Sequence, residues 1–193
     1  MSLKRLLSDI RACQVCAPHL PLGARPVVHA AASARLLIVG QAPGRKVHET
    51  GVPWNDASGE RLRAWMQTEN SIFYDESKVA IVPMGFCYPG AAINGGDNPP
   101  RPECAPLWHD RLIKQLPNLE LTLLVGQYAQ RYYLGRTAKR SMTETVDAFA
   151  EYGPRYFPLP HPSWRTTIWI KKNSWFEEKV LPRLREAVQK AID

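Results

Sequence analysis

Residues 35–44 read Arg35-Leu36-Leu37-Ile38-Val39-Gly40-Gln41-Ala42-Pro43-Gly44. Four consecutive apolar residues suit a strand covered on both faces, and the glycine–proline turn behind them stops it. Similar runs at 79–84, 120–125 and 156–159 begin about 35–45 residues apart, leaving room for a crossover helix between neighbours. Helical spacing fills those intervals. Over 59–69 it puts Leu62, Trp65 and Met66 on one face, and over 105–116 Trp108, Leu112, Ile113 and Leu116, with a shorter helix at 127–134. Strand–helix alternation predicts a three-layer α/β/α fold around a central four-stranded parallel sheet, with residues 1–193 forming one domain. Leu3, Leu6, Leu7 and Ile10 stripe an N-terminal helix. At the other end Ser174 and Glu177 form a capping-box pattern opening a helix to about residue 192, with a kink expected at Pro182.

The unusual residues gather in the segments behind the strands, at 40–54, 85–104, 126–127 and 161–173. Many of the 17 prolines and six tryptophans fall there in short clusters. In an open parallel sheet ligands bind beyond the carboxyl ends of the strands, so one edge of the sheet is the expected site. Twenty-five Lys and Arg against 18 Asp and Glu leave a net charge of +7, which favours a polyanionic partner. The apolar runs are far shorter than the ~18–20 residues that span a bilayer, so a non-membrane, cytoplasmic and monomeric protein is expected.

Cys13 and Cys16 form a Cys-x-x-Cys, while Cys87 and Cys104 flank a later proline–glycine loop. Cys13 follows a helix rather than opening one, so a thioredoxin-type thiolate lacks its helix dipole. Four thiolates suit structural zinc or an iron–sulfur cluster, with four unrelated cysteines as the remaining alternative.

Taken together, the loops resemble the uracil-DNA glycosylase superfamily, most closely its iron–sulfur branch. The residues that carry the resemblance are Gly40-Gln41-Ala42-Pro43-Gly44 behind the first strand, then Gly51-Val52-Pro53-Trp54-Asn55-Asp56-Ala57-Ser58-Gly59. His161-Pro162-Ser163 behind the fourth strand and the four cysteines complete the set, which spans about residues 10–185. The resemblance implies a DNA-repair glycosylase that flips a uracil or another damaged base out of DNA and hydrolyses its N-glycosidic bond. It implies that His161 stabilises the leaving base and that Gln41 contributes to catalysis. Trp54 would stack the base, in a pocket shared with Ala42, Gly44, Asn55 and Asp56. It further implies DNA contacts from Ser163, Trp164, Arg165, Lys171 and Lys172, with Trp164 or Ile168 as the wedge. Cys13, Cys16, Cys87 and Cys104 would hold a [4Fe-4S] cluster, with zinc or no metal as the alternatives.

Three departures stand out. Gln41 occupies the position of a glutamate in that branch, and Ala42 that of an aspartate in other uracil enzymes. Asp56, Asn55, His48 or Asp97 would have to replace the missing carboxylate. Pro83 stands where an asparagine reads the uracil edge, leaving Asn94 and Asn98 as nearby amides. The neutral pair at 41 and 42 raises a second reading, a DNA- or damaged-base-binding protein of the same fold without turnover. A third, an unrelated small-molecule α/β enzyme, predicts no salt-sensitive DNA binding.

Overall fold

The computed structural model describes residues 2–93 and 95–193. Its chain runs α1 (Leu3–Arg11), β1 (Leu36–Val39), α2 (Arg45–Thr50), α3 (Ala57–Met66), α4 (Asn70–Phe73), β2 (Val79–Ile81) and α5 (Cys104–Ile113). It continues through β3 (Leu121–Val125), α6 (Gln127–Leu134), α7 (Met142–Asp147), β4 (Tyr156–Leu159), α8 (Thr166–Lys172) and α9 (Leu181–Ile192). The four strands form one parallel sheet in the order β2-β1-β3-β4, with Ile38 beside Ile81 and Leu123, and Leu123 beside Phe157.

Period-two alternation sorts the strand residues into two cores. Leu36, Ile38, Leu123 and Val125 pack with Leu62, Trp65, Phe176 and Leu184 on one face. Leu37, Val39 and Leu124 pack with Leu6, Ile10, Trp108, Leu112 and Ala129 on the other. Both faces are covered, which is why these strands read as unbroken apolar runs; each such side chain stabilises the fold by about 1.5–3 kcal/mol. The outer edge of β2 is covered too, since His29 and Ile81 exchange backbone hydrogen bonds of 3.1 and 2.8 Å. No helix among the described residues is long and apolar enough to cross a membrane.

The differences from expectation have local causes. The second strand ends at Ile81 rather than 84 because Pro83 has no N–H for the ladder, although Val82 and Met84 still donate to the carbonyls of Ile38 and Gly40. The capping box at Ser174 does not form: its carbonyl accepts from the N–H groups of Glu177 and Glu178, and the following turn, Phe176–Val180, is π-helical. Pro182 falls where the helical run is irregular: the π-helical turn Phe176–Val180 passes directly into α9 at Leu181, with both junction residues in the right-handed helical region. Segment 161–173, read as a loop, contains α8. A capping box does form at Ser141, whose side chain accepts from Glu144 N–H as α7 begins.

Candidate active site

Two connections leave β1's neighbourhood in opposite directions, so the sheet's switch point lies between β1 and β3. At its carboxyl edge opens a cavity of about 330 Å³. Gln41, Ala42, Gly44, Trp54, Asp56, His161, Ser163, Trp164 and Arg165 line it, together with Pro83 and Asp97. Asn55, Lys171 and Lys172 are not among the lining residues. Lys171 and Lys172 are exposed at the end of α8.

Trp54 is held in an uncommon state. Its backbone is left-handed, with φ 55°, a conformation that costs of order 1–3 kcal/mol for such a residue. Two glycines make room for it. A Cβ at Gly40 would lie 2.7 Å from Trp54 Cζ2, and one at Gly59 only 1.7 Å from the Trp54 carbonyl oxygen. That carbonyl accepts from Arg63 Nη1 at 3.2 Å and from the Tyr74 hydroxyl at 3.4 Å. Arg63 is itself seated over the Phe73 ring. These arginine and tyrosine supports carry no motif signal, because in sequence they are ordinary helix residues.

The Trp54 and His161 rings face each other with centroids 5.7 Å apart and planes 33° from parallel. Burial pushes the His161 imidazole down from its ordinary value, while the Asp56 carboxylate pulls it partly back up. A neutral imidazole with one N–H follows at physiological pH. The backbone around it is clamped: the His161 carbonyl accepts from Ser163 N–H and from the Thr166 hydroxyl, and Arg61 Nη1 donates to the Ser163 carbonyl at 2.6 Å.

Gln41 faces the cavity, but its Nε2 donates to the Asn98 carbonyl at 3.2 Å, tying the first motif to the loop behind β2. Asn98 is no base reader. Its own amide donates to the Pro89 and Ala91 carbonyls. Asn94 lies outside the described residues. Pro83 offers no N–H, and its carbonyl oxygen is already engaged by His109, with Nε2 at 3.0 Å. A carbonyl only accepts, so His109 Nε2 carries the proton and Nδ1 accepts from the Tyr133 hydroxyl at 2.7 Å. His109 is fully buried, stacked on Phe86, and held down to about 4 by that burial.

Trp164 and Ile168 are 71% and 58% exposed, large apolar side chains at the surface, with the Arg165 guanidinium 5.4 Å over the Trp164 ring. Trp169 instead packs inward and donates to Thr143 Oγ1. His48 does not line the cavity; its ring lies against Tyr88.

A model of the uracil DNA glycosylase superfamily matches residues 27–185, taking in all four strands and every segment that lines this cavity. The chain belongs to that superfamily. The glycine-rich turn after β1 and the histidine after β4 both line one pocket, as the two motifs of the superfamily resemblance require.

A second, smaller cavity lies behind the same β2 loop. Cys13, Cys16, Cys87 and Cys104 all line it, with Leu20, Pro26, Phe86 and Trp108 around them. Cys13 follows α1 and Cys104 opens α5, where the spacing put them. Burial pushes the Cys87 and Cys104 thiols up to about 11 and about 12, and the neighbouring cysteines add to both shifts. Among the described residues no three His, Cys, Asp or Glu side chains are gathered tightly around one metal position.

Proposed function

We propose that this protein is a DNA-repair glycosylase that hydrolyses the N-glycosidic bond of uracil or another deaminated or damaged base. The observation that carries the reading is the facing pair of Trp54 and His161 across one pocket at the sheet's switch point. Cleavage leaves negative charge on the departing base and positive charge on the sugar. A base flipped into the cavity stacks on Trp54, a contact of about 1–3 kcal/mol. The N–H of the neutral His161 then donates to the base carbonyl as the bond breaks, an oxyanion-hole role. Asp56 supplies negative charge to the same pocket for the developing sugar cation. The exposed Trp164 and Ile168 are suited to fill the gap in the stack, with Arg165 and, farther along α8, Lys171 and Lys172 meeting phosphates.

The four cysteines line one small cavity, a donor set that suits a [4Fe-4S] cluster, with a single zinc ion as the alternative. Such a group would supply cross-linking, fastening the end of α1 to the β2 loop and the start of α5.

The neutral side chains at 41 and 42 favour a second reading, a binder of damaged DNA without turnover. The two are separated with oligonucleotides carrying uracil, hypoxanthine, xanthine or an oxidised pyrimidine, single- and double-stranded, treated with alkali after incubation. The glycosylase reading expects cleavage of at least one, lowered about 10²–10³-fold by His161→Ala. Salt-sensitive binding with no cleavage across the panel establishes the binder instead.

A further inference from the structure

With no carboxylate at 41 or 42, the pocket still contains two, brought from elsewhere. Asp56 begins α3, where its Oδ1 accepts from Gly59 N–H at 2.8 Å. Asp97 comes from the loop between β2 and α5 and lines the cavity with its carboxyl partly covered. Both reach the same point beside Gly44: a Cβ there would lie 3.4 Å from Asp97 Oδ2 and 3.7 Å from Asp56 Oδ2, ordinary contact distances that place the two carboxylates near one another.

We propose that Asp97 is the catalytic base, the group that takes a proton from the attacking water, and that Gln41 has become the strut that delivers it. This rests on the glycosylase reading above. Gln41 Nε2 donates to the carbonyl of Asn98, the residue next to Asp97, a bond that a glutamate at 41 could not make. The same loop is tied a second time by Asn98 N–H to Gly90 O at 2.8 Å, and a third time by Arg165 Nη2 to Gly95 O at 3.2 Å. Asp97 itself makes no ion pair and no side-chain hydrogen bond among the described residues, so both oxygens remain available to water.

Burial and the charge of Asp56 raise Asp97 above the ordinary carboxylate range, which strengthens it as a base. The other groups around it are Tyr88 on its own loop, whose neighbours Arg45 and Glu49 lie on α2, and His161 and Arg165 behind β4. In the step itself the water oxygen bonds to C1′ and the C1′–N bond breaks, with its electron pair leaving on the base. The water proton passes to an Asp97 oxygen, and the base anion is held by the His161 N–H before taking a proton from solvent.

The test is single-turnover cleavage against pH for the full chain and its Asp97→Asn, Asp97→Ala and Asp56→Asn variants, on a base the unaltered protein cleaves. Thermal melts and binding to an uncleavable analogue of the same oligonucleotide accompany each. Asp97→Asn and Asp97→Ala are expected to lose about 10²–10⁴-fold in rate while keeping their melting temperature and analogue binding. Asp56→Asn keeps the helix cap but removes the neighbouring charge, so the acid limb of the profile should move to lower pH. A structural role for these residues moves no limb. Rates within about threefold of the unaltered protein for both Asp97 variants overturn the assignment alone, leaving the glycosylase reading in place. An unaltered protein that cleaves nothing in the panel overturns the glycosylase reading, and this assignment with it.

Discussion

His109 makes the stability of this fold sensitive to acid in a way that can be calculated. The residue is fully buried, donates to the Pro83 carbonyl at 3.0 Å, accepts from Tyr133, and titrates near 4 instead of 6.5. Below pH 6.5 the unfolded chain binds a proton on this imidazole that the folded chain refuses until about pH 4. The unfolded state therefore gains across that window, and stability falls with pH at about 1.4 kcal/mol per unit. From pH 6.5 to pH 5 the loss is about 2 kcal/mol, levelling off near 3 kcal/mol once the folded imidazole also protonates. His109→Gln removes the titration while keeping an N–H donor for Pro83. At pH 7 the variant should be less stable by about 1–2 kcal/mol, because the network with Tyr133 is broken. Urea denaturation of both proteins at pH 7, 6 and 5 measures the comparison, and His29 and His161 titrate in both and cancel. The gap should close or reverse by pH 5. Parallel stability curves for the two proteins across that range would refute the reasoning.

Gly59→Ala places a Cβ 1.7 Å from the Trp54 carbonyl oxygen, so the backbone of one or the other must move. A loss of about 3 kcal/mol, or about 6–12 °C in Tm for a chain of this size, is expected by calorimetry. Cys104→Ser is expected to lower iron content and Tm together in anaerobically purified protein, with a smaller change in cleavage rate. A variant that retains full iron content and melting temperature would remove Cys104 from the proposed cluster ligands.

Strands were legible to within a residue at three of the four runs, because burial on two sides leaves a continuous apolar run with no competing period; the second overran by three residues, where Pro83 breaks the ladder. The run 156–159 matches β4 end to end, and 120–125 differs from β3 by one residue. Short helices were not legible. α2 has six residues between two glycines, too few for a repeat, and α8 is rich in Thr166, Thr167, Ile168 and Ile170, whose branched side chains disfavour helices in isolation. The pattern Ser-x-x-Glu occurs at both 141 and 174, yet caps only the first. Ser141 enters its helix from an extended backbone, whereas Ser174 already sits inside a turn that uses its carbonyl. The site residues fall along the same line. Gln41 and His161 follow strands closely, so the sheet brings them to one edge, whereas Trp54 and Asp56 reach the same cavity from the turn between α2 and α3. His109 and Arg63 were not legible, since a buried polar residue on a helix looks like any other until its partners arrive from distant segments.

Under the proposed glycosylase activity, the left-handed turn at Trp54 has a consequence for how damage would be searched. A ring wedged against Gly40, with its carbonyl gripped by Arg63 and Tyr74, has nowhere to swing. Its ordering was completed when the chain folded, so no side-chain entropy is lost when a base arrives. All of the motion in such an encounter would then belong to the nucleotide. Selection would be made by how readily a base leaves its stack and how flatly it lands, an advantage weakly paired lesions have before any hydrogen bond has read their edges.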